Sequence, residues 1–236
     1  MKLMPHKSLT KTPIEAVRLV QRAHGMYAID FGRAWFGTLS VCILAPANAA
    51  EVTVRLGEVL GPDGLIDRCP PGTVRFRELP LRLRKGRHRY DLVIPSDSRN
   101  TGRRTIKMPR DIGEVLPFRY AEIDGAPCEL TADDVRLMAV HYPFDEDASD
   151  FESSDSDLNQ IWDLSKHTMF ATSFCRMFVD GDRERYPREA DAYINQLGYY
   201  CCDAEYALAR YTHEFMIRHT SVWTEWQFHS IFMAWA

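Results

Sequence analysis

At residues 145–157 the chain changes its hydrophobic period, and that change limits the fold more than any other feature. Before it, apolar residues alternate with polar ones in short runs bounded by glycine and proline. After it they recur about every 3.6 residues, the period of an amphipathic helix. Successive strand side chains point to opposite faces, whereas helical side chains share a face at i, i+3 and i+4, so one element type cannot serve both halves. A β part followed by an α part is predicted. The seven acidic residues of 145–157, interspersed with serine, mark the boundary.

In the first part, residues 26–31 (MYAIDF) and 36–45 (FGTLSVCILA) read as two strands separated by a turn at Gly32–Arg33–Ala34. Residues 51–60 form a third, ended by Gly61–Pro62–Asp63–Gly64, and residues 87–95, 115–125 and 135–144 supply more. Short strands joined by Gly/Pro turns, with no helical pattern between them, predict an antiparallel β-sandwich over residues 25–145, with residues 1–24 as a lead-in. Beyond it, Leu158, Ile161, Trp162, Ser165, Met169 and Thr172 form one stripe of a helix reaching about Phe178, with Ser154 or Ser156 as its cap. A second helix is expected from near Pro187 to Cys202, because proline is tolerated in a first helical turn. A third covers residues 204–219, capped by Asp203, and a fourth begins at residue 230. Antiparallel helix pairs with short connections are the building units of an α/α barrel.

With 45% hydrophobic and 26% charged residues the composition is that of an ordinary globular protein, and a net charge of −4 argues against nucleic acid as a partner. Two basic stretches, Arg82, Arg84, Lys85, Arg87 and Arg89, then Arg99, Arg103, Arg104, Lys107 and Arg110, read as solvated surface. None of the six cysteines forms a C-x-x-C pair, and His213 and His219 lie six residues apart, on different faces of a helix, so neither a metal nor a cofactor is expected. The N-terminus is polar and basic, and no apolar run approaches the ~18 residues of a membrane span, so no membrane association is expected. The reading is a cytoplasmic protein as written, periplasmic or secreted if a leader has been removed.

The chemistry concentrates in residues 179–200, VDGDRERYPREADAYINQLGYY, where Asp180, Asp182, Glu184, Glu189 and Asp191 stand among Arg183, Arg185 and Arg188. Carboxylates on a loop that leads into a helix N-terminus suit general acid work. They equally suit a solvated, salt-bridged helix start.

Asp180, Arg183–Glu184–Arg185 and Asp191, followed by AYINQLGYY, resemble the signature of bacterial α-L-rhamnosidases, family 78 of the glycoside hydrolases. Those enzymes carry an Asp, then Arg-Glu-Arg, then a further Asp at the head of a helix in an (α/α)6 barrel. Less specifically, residues 27–32, Gly57–Glu58 and Phe118–Arg119–Tyr120 resemble the sandwich that precedes the barrel. Where the family usually has Gly-Trp-Thr-Gly before the second Asp, this chain has Pro187–Arg188–Glu189–Ala190.

The resemblance implies that residues 146–236 begin a six-hairpin (α/α)6 catalytic domain. Glu184 would be the general acid, facing an apolar cleft that favours a protonated carboxyl. Asp180 and Asp191 would hold sugar hydroxyls, with Arg183 paired to one of them. Trp223, Glu225 and Trp226, between the third and fourth helices, would border the cleft, although each Trp suits core packing equally well. The implied activity is inverting hydrolysis of terminal α-L-rhamnosyl groups on a rhamnose-containing oligo- or polysaccharide, without a cofactor. Inversion needs two carboxyl groups ~6.5–9.5 Å apart, an acid and a base. The resemblance places the base beyond Ala236 and makes this chain an inactive fragment, with Trp226, Phe228, Ile231, Phe232 and Trp235 forming an exposed patch. A non-catalytic carbohydrate-binding or remnant protein is the alternative.

Overall fold

The structure, a computed structural model, describes residues 6–236; Met1–Pro5, the opening of the expected lead-in, lie outside the described residues. The chain divides into two compact units. Residues 11–95 and 113–140 form one, and residues 6–10, 96–112 and 141–236 form the other.

The first unit is the antiparallel sandwich. Its strands are β1 (Thr10–Glu15), β2 (Arg18–Ala23), β3 (Met26–Ala45), β4 (Glu51–Gly57), β5 (Phe76–Arg82), β6 (Gly86–Asp91), β7 (Leu116–Asp124) and β8 (Val135–His141). They are hydrogen-bonded in the order β1-β8-β3-β7-β4-β5, with β2 and β6 also pairing β3. Strand β3 organises the unit. Its first half pairs with β2 and β7, its second half with β6 and β8. Tyr27, Ile29 and Phe31, then Leu39, Val41 and Ile43, alternate into a core shared with Val54 and Leu56 of β4, Phe118 and Ile123 of β7 and Leu137 of β8.

The two strands expected at residues 26–31 and 36–45 are thus one strand, and Gly32–Arg33–Ala34 is an irregularity within it. Between Asp30 and Trp35 the register against β7 slips. Gly32 takes φ +80°, and its N–H donates to Asp30 Oδ1 at 2.7 Å. Arg119 of β7 clamps the same carboxylate with two N–H groups at 2.8 Å, which holds Asp30 below the usual carboxylate range. Two further corrections follow from pairing that local pattern does not reveal. The lead-in contains β1 and β2; β2 is largely exposed and shows no apolar alternation. Strand β5 was missed because it contains Pro80, which is tolerated at the sheet edge that β5 occupies.

Gly37 offers a check on this register. It faces Ala139 across the β3–β8 pair, and a Cβ there would lie 2.3 Å from the Met138 carbonyl oxygen. Neither backbone can withdraw without breaking the ladder. Gly37→Ala is expected to destabilise the sandwich by about 1–3 kcal/mol, read by chemical denaturation; an unchanged midpoint would mean that β8 is not seated on β3 as described.

The second unit follows the single-turn helix α1 (Ser98–Thr101) with α2 (Ser156–Ala171), α3 (Glu189–Cys202), α4 (Ala207–Arg218) and α5 (Thr224–Trp235). Tyr142, Phe178, Ala192, Tyr199, Leu208, Met216 and Met233 make its core, and Gln196 donates from α3 to the Met233 carbonyl of α5 at 2.9 Å. Several expected boundaries shift, at two helix starts because a carboxylate captures backbone N–H groups. Asp155, not Ser154 or Ser156, caps α2 by accepting from Asp157 N–H at 2.9 Å. Helix α2 stops at Ala171 rather than Phe178. Phe174, Cys175, Phe178 and Val179 are buried in the loop beyond it, and Phe178 N–H donates to Thr212 Oγ1 at 3.0 Å. Asp203 ends α3 and accepts from the Tyr199 hydroxyl at 3.1 Å, so it does not cap α4. Buried Glu205 does that, accepting from Ala207 and Leu208 N–H at 3.1 Å each. Helix α5 opens at Thr224 instead of residue 230. Phe228, Ile231, Phe232 and Trp235 are exposed on it, while Trp226 is half-buried.

Candidate active site

The loop of residues 172–188 that joins α2 to α3 presents its charged side chains in two directions. Inward, Arg185 is fully buried at 0% exposure, donates to Asp182 Oδ1 at 2.7 Å and lies over the Phe174 ring at 5.2 Å. Its backbone, at φ +47°, offers a carbonyl to Ile106 N–H at 2.9 Å. Outward, the turn at Gly181, φ +90°, brings Asp180 back onto Arg183, whose Nη2 donates to Asp180 Oδ2 at 3.1 Å. The expected pairing of Arg183 with one of the acids is therefore present.

Asp180 is 8% exposed at its side chain. Its other oxygen, Oδ1, is buried and has no hydrogen-bond donor among the described residues. A buried carboxylate oxygen without a donor is costly, so this atom is suited to receive one from a bound hydroxyl. Asp191 opens the first turn of α3. Its carboxyl is held above the ordinary aspartate range, first by burial and then by the charge of Asp180, with Glu184 adding to the effect and Arg188 and Arg183 opposing it. The three acids Asp180, Glu184 and Asp191 therefore share one electrostatic neighbourhood.

Glu184 does not face an apolar cleft. Its side chain is 37% exposed, and its carboxylate accepts from Nε of Arg188 at 2.8 Å and from Nη2 of the same residue. Arg183 approaches it at 3.5 Å. Arg188, the N-cap residue of α3, extends onward to lie 5.7 Å from the Trp223 ring. Trp223 is half-exposed and sits 4.6 Å from Trp226, tilted by 49°. Trp223 is the N-cap of α5, and Glu225 and Trp226 lie within that helix rather than in the connection where they were expected. The structure thus links Trp223 to the carboxylates through Arg188. Glu225 stands exposed on the first turn of α5 and joins no ion pair among the described residues.

Beside this cluster lies a cavity of about 680 Å³, lined by residues 103–107 and 186–189 with Phe215 and residues 219–223. Nothing in the sequence singles out Arg188, and the basic stretch around Arg103 reads there as solvated surface. Arg103, Arg104 and Lys107 are indeed exposed, yet they border this cavity. Among the described residues no group of three or more His, Cys, Asp or Glu side chains is arranged to hold a metal ion. No helix among the described residues is long and apolar enough to cross a membrane.

Residues 20–141 match the family described as the bacterial α-L-rhamnosidase concanavalin-like domain, more than half of the chain. The chain belongs to this rhamnosidase family. No curated protein sequence matches it. Among solved structures the rhamnosidase-family chain is similar to the α-L-rhamnosidase of Dictyoglumus thermophilum, with a TM-score of 0.69 and 18% identity, covering 89% of this chain and 22% of that one. The Aspergillus terreus α-L-rhamnosidase gives a TM-score of 0.58 at 16% identity, covering 88% of this chain and 22% of the other. The Streptomyces avermitilis α-L-rhamnosidase, solved with L-rhamnose, gives 0.57 at 19% identity, covering 89% and 18%. The chain spans about a fifth of the length of these enzymes. At such identities the likeness establishes the fold.

The position of Asp191 yields a pH-dependent expectation. A carboxyl raised in the folded state binds its proton more readily there than in the unfolded chain, so it lowers stability as pH rises from the unfolded value through the folded one. Asp191→Asn is therefore expected to raise the melting temperature at neutral pH, and the gain should shrink as pH falls through that window. A melting-temperature difference that stays constant down to strongly acid pH would show that neither burial nor the charge of Asp180 raises this carboxyl.

Proposed function

We propose that this chain supplies the sugar-binding and proton-donating part of an α-L-rhamnosidase, an inverting glycoside hydrolase acting on terminal α-L-rhamnosyl groups. One observation carries the reading: in a chain of this family, buried Asp180 Oδ1 lacks a donor within the same neighbourhood as Glu184 and Asp191. Asp180 and Asp191 accept hydrogen bonds from ring hydroxyls, Arg183 fixes Asp180, and Trp223 offers its half-exposed face to the sugar. Glu184 protonates the glycosidic oxygen as the bond to the anomeric carbon breaks. A water activated by a carboxylate base attacks from the opposite face, which inverts that centre.

Arg188 and Arg183 engage the Glu184 carboxylate. Proton donation requires Glu184 to exchange these partners for the sugar oxygen, so Arg188 is the gate on its reactivity. The same ion pairs favour a second reading, a carbohydrate-binding protein without turnover, and two measurements separate them. Titration with L-rhamnose, followed by tryptophan fluorescence, is expected to show saturable binding that Asp180→Asn weakens at least ~10-fold, the loss of a hydrogen bond to a charged group. Inverted rhamnose released from an aryl α-L-rhamnoside by a longer protein that carries this sequence together with a base identifies the hydrolase. Binding without release leaves the second reading, and indifference to L-rhamnose overturns both.

A further inference from the structure

The cavity beside the carboxylates carries a charge that hydrolysis of a neutral rhamnoside does not use. Arg103 and Arg104, from the loop before Thr105, line it together with Lys107, and Arg188 and Trp223 form its border with the acidic cluster. Among the described residues neither Arg103 nor Arg104 makes an ion pair with a carboxylate. The one acidic residue in the lining, Glu189, is 2% exposed, and its Oε1 is taken by Ser221 N–H at 2.7 Å. The basic loop is fixed rather than loosely draped. Buried Thr105 donates to the Gly102 carbonyl at 3.3 Å, Lys107 Nζ donates to the same carbonyl at 2.9 Å, and Ile106 N–H is held by the Arg185 carbonyl in the candidate catalytic loop. The volume suits a sugar ring with its substituents.

We propose that this cavity binds the carboxylate of a uronic acid linked to the terminal rhamnose. The proposal rests on the rhamnosidase reading above and adds the identity of the adjoining sugar. Guanidinium groups pair with carboxylates through two parallel N–H···O bonds, and two arginines on one fixed loop beside a third on a helix cap form a receptor for a single planar anion. Trp223 supplies an apolar face at the same border. Because Arg188 contacts both Glu184 and the cavity, a uronate seated there competes with Glu184 for that guanidinium. Binding the acidic neighbour thereby loosens Glu184 toward the glycosidic oxygen that joins the two sugars.

Calorimetric titration of the 236-residue chain tests this with four probes: an α-L-rhamnosyl-D-glucuronate disaccharide, its neutral α-L-rhamnosyl-D-glucose counterpart, methyl D-glucuronide and sodium sulfate. The uronate disaccharide is expected to bind at least ~10-fold more tightly than the neutral one, equivalent to ~1.4 kcal/mol. The advantage should fall as salt screens the charges, and it should vanish in an Arg103→Ala/Arg104→Ala double variant. Both positions are exposed, so an unchanged circular dichroism spectrum is expected for that variant. Neutral and uronate disaccharides binding equally overturn the uronate site while leaving the rhamnosyl reading intact. Methyl glucuronide binding lost in the double variant, with no binding of the neutral disaccharide, supports the uronate site and overturns the rhamnosyl reading. Sulfate binding as tightly as the glucuronide reduces the cavity to a general anion site and overturns the assignment, as does the absence of binding by all four probes.

Discussion

Glu184→Gln is expected to lower turnover of rhamnosides with poor leaving groups at least ~100-fold, the smallest loss usual for removal of a general acid. The amide keeps an oxygen that can accept from Arg188, so the loop geometry around the side chain should survive. What disappears is the proton. An alkoxide leaving from a sugar or an alkyl aglycone needs that proton in the transition state. A nitrophenolate scarcely does, so activated aryl rhamnosides should suffer much less. The measurement is the ratio of kcat/KM for the two substrate types in an active rhamnosidase carrying this sequence. Equal losses on both would make Glu184 a binding residue, and no loss on either would remove it from the site. Arg188→Met is the informative companion. If Arg188 gates Glu184, the variant should disturb poor-leaving-group substrates differently from activated ones.

The β-then-α order was legible because hydrophobic period is a local property that each segment writes in its own side chains. Phe118, Ile123, Val41 and Leu137 alternate as strand residues must, and they are core residues in the structure. Strands that gain their place from partners were not legible. Exposed β2 has no apolar stripe, and Pro80 disguises β5, yet pairing with β3 and β4 makes both of them strands. Helix ends failed for a related reason. Glu205 caps α4 and Asp155 caps α2, while the serines and Asp203 had equally suitable side chains in sequence. Which of several capable groups captures an N–H depends on the chain's path, and that is fixed by burial elsewhere. In the candidate site, Asp180 and Glu184 lie on one loop and Asp191 on the first turn of the helix that follows it, so their closeness in sequence kept them close in the fold. That Arg103 and Arg104 line the same cavity as Arg188 did not follow, because about eighty residues separate them and only the fold brings them to one cavity.

The largest stability effect is expected at Arg185, which holds the candidate catalytic loop from beneath. Its guanidinium is fully buried, bonded to Asp182 and laid over Phe174, while its own carbonyl receives Ile106 N–H. The two residues between the members of this pair, Arg183 and Glu184, are the ones turned outward to Asp180 and Arg188. The buried ion pair therefore sets which side chains of the loop reach the site. Arg185→Met removes the cation from beside the buried Asp182 carboxylate, for a loss of roughly 3–5 kcal/mol. That is a large share of the ~5–15 kcal/mol that stabilises a typical domain. Arg185→Lys should recover little, because a single ammonium cannot both reach Asp182 in this geometry and lie flat on Phe174. The double variant Asp182→Asn/Arg185→Met should recover much of the loss, since the buried carboxylate is then replaced by a neutral amide. Chemical denaturation of the four proteins measures the coupling. A double variant no more stable than Arg185→Met would show that packing on Phe174, and not the charge pair, holds the loop. A loss under ~1 kcal/mol in Arg185→Met would contradict the burial itself. Where the double variant folds but no longer quenches with L-rhamnose, the pair is a positioning device for Asp180 and Glu184 as well as a support.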